Sequence, residues 1–254
     1  MIEPLRVDPS STAVMFDIDG TLAPIVRHAA DAAIPEDTRR LLIAVSKRYG
    51  TVACVTGRPA LVARQMVGIG SIAYIGNHGL ERLAPGDGEV ILDHRAGAYA
   101  KRIHAFASAA QTPDVERLRI TLEDKGPIVA FHWRGAPDEH AASAAVAQIA
   151  QAAAAAGLAT HQGRKVLEVR PPIPLDKGRG IAALLRGRRP ANGLYVGDDV
   201  TDLDAFRGLR AAVSGRAVCI AVGSEEAPPQ LLADADLVVA GTAGVREILD
   251  ELLR

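Results

Sequence analysis

The chain has 254 residues, 48% of them hydrophobic and 23% charged. That balance belongs to a folded protein of one large or two modest domains, and it excludes a disordered chain, a collagen-like repeat and a disulfide-stapled miniprotein. Lys plus Arg number 29 against 30 Asp plus Glu, a net charge of −1, so no broad basic field exists to hold nucleic acid or an anionic membrane, and neither partner is expected.

The opening MIEPLRVDPS is acidic and Pro-containing, without the basic start and apolar run of a secretory leader, so a cytoplasmic protein is expected. TAVMFDID is an apolar run of strand length that ends in carboxylates. PEDTRRLLIAVSKRY then puts Pro35 at a plausible first turn and Leu41, Leu42 and Val45 at helical spacing. TVACVTGRP reads as a second apolar strand ending in a turn, PALVARQMV as a short helix and IAYIGNHG as a third strand. LERLAPGDGEVIL reads as a hairpin around Pro85-Gly86-Asp87-Gly88. The last third repeats the alternation: a helix from about Lys177, strand LYVGDD, a helix near Thr201–Phe206, strands AVCIAVG and DLVVA, and a helix from Thr242. Strands alternating with helices predict an α/β fold, a parallel sheet with helices on both faces.

The middle differs. HRAGAYAKRIHAFASAA looks helical, RLRITLEDK and PIVAFHWR look like strands, and GLATHQG and KVLEVRPP look like two more. Between them, residues 141–159 are mostly alanine. Gln148 and Gln151 interrupt that stretch, Pro137, Asp138 and Glu139 suit its start and Gly157 its stop, so it reads as a surface helix and not a membrane span. A small α+β unit over residues 93–171 is therefore expected as an insertion into a core made of residues 1–92 and 172–254. Cys54 and Cys219 lie in apolar strands, which predicts buried free thiols and fits a reducing compartment.

Chemistry concentrates where strands should end. Asp17-Ile18-Asp19-Gly20-Thr21 closes the first strand, and in open parallel sheets ligands bind beyond the carboxyl ends of strands. Two acids two residues apart there repel unless a cation or a shared proton relieves them. Gly197-Asp198-Asp199-Val200-Thr201-Asp202 again clusters carboxylates at a strand end, and oxygen ligands from Asp17 and Asp198 on neighbouring strands would suit Mg²⁺. Thr56-Gly57-Arg58 offers a hydroxyl and backbone N–H groups at a turn entering a helix, and Lys177 opens another helix with a positive charge.

In this order the four elements resemble the haloacid dehalogenase-like (HAD) phosphatase superfamily, with its Rossmann-like core. The longer strings DIDGTLAPI, TGRP, YIGNHGLE, LEDKGPIVAFHWR, GRKVLEVRPP, DKGRG and YVGDDVTDLDAF resemble the trehalose-6-phosphate phosphatases, whose mobile cap the inserted unit matches. The resemblance implies a Mg²⁺-dependent phosphatase releasing trehalose from trehalose 6-phosphate in two steps. Asp17 would attack phosphorus to give an aspartyl-phosphate, and Asp19 would protonate the leaving oxygen and then activate water. Asp17, the Asp19 backbone carbonyl and Asp198 would hold the metal, with Asp202, and Asp199 behind it, in support. Thr56 and Lys177 would bind phosphoryl oxygens, beside Gly57 and Arg58.

Strand alternation puts Glu123 and Lys125 on one face, and sets Val129, Phe131 and Trp133 (a core face) opposite Ala130, His132 and Arg134. Glu168 sits mid-strand, an odd place for a carboxylate without a partner. By resemblance, Glu123, Lys125, Arg134 and Glu168 would contact the sugar, with Asn77 and His78 on the core side of the pocket. His28, His94, His104, His140 and His161 show no metal-ligand spacing, and no Gly-x-Ser-x-Gly occurs. One departure stands out: Leu203 occupies a position where the family usually has Glu. Another glycosyl phosphate, such as sucrose 6-phosphate or a glucosylglycerol phosphate, is therefore an alternative substrate, and a non-catalytic sugar-phosphate sensor a remoter alternative. The expected partner is a small phosphosugar and the expected state a monomer.

Overall fold

In the computed structural model, which describes residues 2–26, 31–163, 165–225 and 227–254, the apolar runs of the first and last thirds form one sheet. His28, and Arg164 of the GRKVLEVRPP string, lie outside the described residues. The chain divides into two compact units, Met1–Ile91 with Leu175–Arg254, and Leu92–Pro174.

The first unit runs α1 (Glu3–Val7), β1 (Thr12–Phe16), α2 (Glu36–Arg48), β2 (Thr51–Val55), α3 (Ala60–Val67), β3 (Ala73–Gly76), β4 (Glu81–Leu83) and β5 (Val90–Leu92). The second unit carries α4 (His94–Ala110), α5 (Pro113–Arg117), β6 (Thr121–Asp124), β7 (Val129–His132), α6 (Glu139–Ala155), β8 (Ala159–Gly163) and β9 (Val166–Arg170). The chain then returns with α7 (Lys177–Leu185), β10 (Asn192–Gly197), α8 (Asp202–Ala212), β11 (Ala217–Gly223), α9 (Pro229–Asp234), β12 (Leu237–Ala240) and α10 (Gly241–Leu253).

The large sheet has the order β12-β11-β10-β1-β2-β3-β4-β5. Its strands from β12 to β3 are parallel, and β4 turns back antiparallel on β3. Strands buried on both faces read as continuous apolar runs, which is why TAVMF and TVACV show no polar alternation. Alternate side chains feed two cores. Val14, Phe16, Cys54, Leu194 and Val196 join Leu42 and Val45 of α2 and Ile248 and Leu249 of α10 on one face. Ala13, Met15, Val55, Tyr195 and Cys219 join Ile181 of α7 and Phe206 and Leu209 of α8 on the other. The result is the α/β sheet with helices on both faces that the sequence predicts, and both cysteines are buried free thiols.

In the second unit an antiparallel sheet of order β6-β7-β9-β8 packs one face on its helices. Val129, Phe131, Trp133, Leu167 and Val169 meet Ile103 and Ala107 of α4 and Val146 and Ile149 of α6, so Trp133 is core. Asp138 caps the alanine-rich helix by accepting from the Ala141 N–H at 2.9 Å, and Gly157 ends it in the left-handed region at φ 67°. Among the described residues no helix is long and apolar enough to cross a membrane. The short helices α1, α5 and α9 have no counterpart in the sequence reading; at 5, 5 and 6 residues they are too brief for a 3.6-residue period to register. Helix α8 runs to Ala212, six residues past the expected end at Phe206.

Candidate active site

The parallel register aligns the ends of β1, β2 and β10, so Asp17, Thr56 and Asp198 all follow the carboxyl ends of neighbouring strands. The Asp17 N–H donates to the Val196 carbonyl at 2.9 Å, and the Thr56 N–H to the Ile75 carbonyl at 2.9 Å, so each ladder runs one residue into its loop. Asp17 is 5% exposed. Its Oδ1 accepts from Lys177 Nζ at 2.9 Å, and the same ammonium donates to Asp202 Oδ1 at 2.7 Å. Those bonds commit two of the three donors of Lys177 and leave one for a ligand.

Asp202, wholly buried at the start of α8, organises the acidic turn. Its Oδ2 accepts from the N–H groups of Asp198 and Asp199, each at 2.9 Å, and its Oδ1 also accepts from the Tyr195 hydroxyl at 2.6 Å. With the Lys177 bond, the four acceptor positions of this carboxylate are filled. The sequence reading sets Asp202 in support of the metal residues, and its bonds make it the anchor of the Asp198–Asp199 turn.

Gly20 permits the close approach of the two acidic loops. It sits at φ +84°, and a Cβ there would lie 2.0 Å from Asp198 Oδ2. Beside it, the Thr21 hydroxyl donates to Asp198 Oδ1 at 3.1 Å. Gly20→Ala should therefore cost about 1–3 kcal/mol, from backbone strain and from displacing Asp198. Urea denaturation measures that cost, and an unchanged midpoint would show that the loop has room to spare.

Electrostatics follow from this crowding. Burial pushes the Asp17 carboxyl well above its ordinary range; Lys177 opposes the rise, and Asp202, Asp198 and Asp19 add to it. Burial and then Asp202 push Asp198 up to about 7, against a hydrogen bond with the Asp17 side chain, the charge of Lys177 and the Thr21 hydroxyl. Burial alone would lower the Lys177 ammonium, but Asp17 and Asp202 outweigh it and hold it above its usual value. Oxygens of Asp17, Asp198 and Asp202 lie within 4.8 Å of one another. Buried carboxylates in excess over one ammonium, all of them oxygen donors, fit a hard divalent cation.

The turn after β2 lies against the loop after β3. The Thr56 hydroxyl oxygen accepts from the Arg58 N–H at 3.2 Å. The His78 and Asn77 N–H groups donate to the carbonyls of Thr56 at 3.1 Å and Arg58 at 2.9 Å. Gly57 lets the His78 ring lie close, since a Cβ there would meet it at 2.7 Å. Asn77 was expected to line the pocket; it is fully buried, its amide donating to Glu81 Oε1 at 2.8 Å while Glu81 Oε2 accepts from the Ala60 N–H of α3 at 2.7 Å. Asn77 therefore ties loops together. Arg58 reaches Asp19 with both arms of its fork, Nε to Oδ2 and Nη2 to Oδ1, each at 2.7 Å.

In the second unit, the sheet face opposite the core carries a charged network. Lys125 Nζ donates to Glu168 Oε1 at 2.8 Å, Arg170 Nε to Glu168 Oε2 at 2.8 Å, and His132 Nε2 lies 2.8 Å from Glu123 Oε2. The bond from His132, with Lys125 nearby, holds the Glu123 carboxyl below its usual range despite partial burial. Glu123 and Lys125 are thus brought to one face as the alternation predicts, Glu168 joins them, and Arg170 joins them unforeseen. The signal was present: Glu168 and Arg170 stand two apart in KVLEVR. Arg134 departs from the expectation. Strand β7 stops at His132, the Ala136 N–H closes a turn on the Trp133 carbonyl at 3.1 Å, and Arg134 is exposed in that turn, its charge acting on Glu139. Tyr195, in an apolar strand, and Glu81, beside Arg82, were also missed; neither stretch of sequence hints at a hydrogen-bonding duty.

Residues 15–230 match the family model described as Trehalose-phosphatase. The chain belongs to that family. A protein named probable trehalose-phosphate phosphatase, from Sinorhizobium fredii, is 34% identical over 219 residues, covering 80% of this chain and 76% of that one. A Mycobacterium tuberculosis protein named uncharacterized glycosyl hydrolase is 34% identical over 208 residues; the match takes 78% of this chain and spans only 15% of that protein's length. Among solved structures, the C-terminal domain of the C. albicans trehalose-6-phosphate phosphatase superposes with a TM-score of 0.76 at 21% identity, over 100% of this chain and 97% of that one. That likeness shows that the two chains share a fold.

Proposed function

We propose that the protein hydrolyses trehalose 6-phosphate to trehalose and inorganic phosphate through an aspartyl-phosphate on Asp17, with Mg²⁺ as its cofactor. The observation that carries the reading is the buried Asp17–Lys177–Asp202 chain at the carboxyl end of β1, in a member of the trehalose-phosphatase family.

The geometry supports a division of labour. Asp17 is the nucleophile: it stands at the strand end with Oδ1 held by Lys177, which restricts its rotamers. The third N–H of Lys177 and the Thr56 hydroxyl are the donors for phosphoryl oxygens. Asp19, with a side chain 40% exposed, is positioned to protonate the leaving sugar oxygen and to take a proton from water in the second step. The carboxylates of Asp17 and Asp198 and the Asp19 backbone carbonyl would hold Mg²⁺, which supplies the positive charge that lets an anionic nucleophile approach an anionic ester. Asp202 keeps the Asp198 turn in place. On the second unit, Glu123, Lys125 and Glu168 form a surface of alternating charge suited to sugar hydroxyls, with Arg170 bracing Glu168.

Leu203 favours a second reading within the same chemistry. Its side chain packs against the core beneath α8 and offers no hydrogen bond, so the hydroxyl pattern of the substrate can differ from that of trehalose. A panel of phosphosugars assayed for released phosphate decides between the two. Trehalose 6-phosphate should give the highest kcat/KM, and a tenfold or greater preference for another glycosyl phosphate would replace it.

Metal binding should depend on pH with a definite sign. The Asp198 carboxyl, raised to about 7, keeps its proton in the folded, metal-free protein at pH values where an unfolded chain has lost it. The stability of that form therefore falls as pH rises from about 4 to about 7. Mg²⁺ competes with those protons, so the rise in melting temperature on adding Mg²⁺ should be larger at about pH 8 than at about pH 6. An equal or reversed shift would remove Asp198 from the metal's ligands.

A further inference from the structure

The Thr56-Gly57-Arg58 turn reads from sequence as a phosphate-binding element, with Arg58 among its substrate contacts. In the structure the Arg58 guanidinium is committed elsewhere. Both Asp19 oxygens accept from it at 2.7 Å, in the parallel two-bond geometry that fixes a carboxylate in position and in plane. Arg58 is the more enclosed partner, its side chain 17% exposed against 40% for Asp19. The backbone around it is held too: its N–H donates to Thr56 Oγ1 and its carbonyl accepts from the Asn77 N–H. Asp19 itself follows β1 on a loop that turns at Gly20, whose N–H donates to the Ala23 carbonyl at 2.8 Å, and a carboxylate on such a loop would otherwise sample several rotamers.

We propose that Arg58 is a positioning residue for Asp19: it fixes the second aspartate of the Asp-x-Asp loop in a single orientation, and its main contribution to turnover passes through that carboxylate and not through a contact with phosphate. The proposal rests on the phosphatase reading above and makes a different demand on experiment. An arginine that binds the phosphoryl group serves every phosphate ester alike, because the transferred group is the same. An arginine that orients Asp19 matters only where the leaving oxygen needs help to depart.

The test compares trehalose 6-phosphate, whose alkoxide leaving group is poor, with p-nitrophenyl phosphate, whose leaving group departs unaided. Wild type, Arg58→Ala, Arg58→Lys, Asp19→Asn and the Arg58→Ala/Asp19→Asn double variant are assayed on both, with thermal melts to verify folding. Positioned acid–base groups contribute about 10²–10⁴-fold. Arg58→Ala should lower kcat on the sugar ester by about 10²-fold, and on the aryl ester by at least tenfold less. Arg58→Lys, which keeps the charge but not the fork, should show the same selectivity and not a full rescue. Adding Arg58→Ala to Asp19→Asn should lower sugar-ester turnover by less than about threefold, because two residues acting as a unit do not add. Equal losses on the two esters, or full additivity in the double variant, would overturn the assignment and return Arg58 to phosphate binding. A folded, Mg²⁺-loaded wild type that turns over neither ester removes the phosphatase reading and this inference together. A crystal structure of Arg58→Ala supplies a readout independent of turnover: Asp19 should lose its single rotamer, and an unmoved carboxylate would count against the proposal.

Discussion

Replacing Asp17 by Asn should abolish turnover, lowering kcat by about 10⁴-fold or more, in line with the loss of a covalent nucleophile. The amide matches the carboxylate in shape but cannot accept the phosphoryl group, so no phosphoenzyme should form. Intact-mass measurement after an acid quench would show the added phosphate on wild type and none on the variant. The fold should survive. Burial and three neighbouring carboxylates already raise the Asp17 carboxyl far above its usual range, so neutralising it relieves repulsion in the metal-free protein. Its melting temperature should match or exceed that of wild type. Full retained activity would move the nucleophile elsewhere, and a collapsed fold would show that the Lys177 bond to Asp17 is structurally indispensable.

The largest stability effect should come from the other end of that bond. Lys177 is 3% exposed and is the ammonium that Asp17 and Asp202 share. Lys177→Met keeps the length of the side chain and removes the charge, leaving two buried carboxylates facing each other. Breaking a buried pair by removing one partner costs about 3–5 kcal/mol. Urea denaturation without Mg²⁺ should show a loss of that order, and adding Asp17→Asn to Lys177→Met should recover part of it by deleting one of the stranded charges. A double variant no better than Lys177→Met alone would place the cost in lost packing, not in charge.

How much of this was readable beforehand divides along physical lines. The sheet and its two helix layers were legible, because strands buried on both faces leave uninterrupted apolar runs such as TAVMF and AVCIAVG. The acidic strand ends were legible for the same reason: a carboxylate that ends an apolar run has a position fixed by the run. The short helices over residues 113–117 and 229–234 were not, since one turn and a half carries no period. Arg134 was misplaced because alternation holds only while the strand lasts, and β7 gives way to a turn after His132. The support roles were hidden most completely. Nothing in LYVGDD says that the Tyr195 hydroxyl will hold Asp202, and nothing in NHGLE says that Glu81 will tie Asn77 to the start of α3. Those bonds depend on which loops a fold brings face to face, and one-dimensional patterning does not encode it.

The central strand has one more consequence. β1 pairs with β2, about forty residues away, on one side, and with β10, paired Thr12 to Asn192, on the other. Asp17 meets its counter-ion across 160 residues of intervening chain. During synthesis the Asp17 loop therefore emerges before its partners and waits, with an unpaired β1 edge, until β10 and α7 leave the ribosome. Pairings of such long sequence separation are slow to close and expose apolar strand meanwhile. Refolding from denaturant should accordingly be slow for a protein of this size and prone to aggregation, and active-site assembly should be among the last events along the folding route.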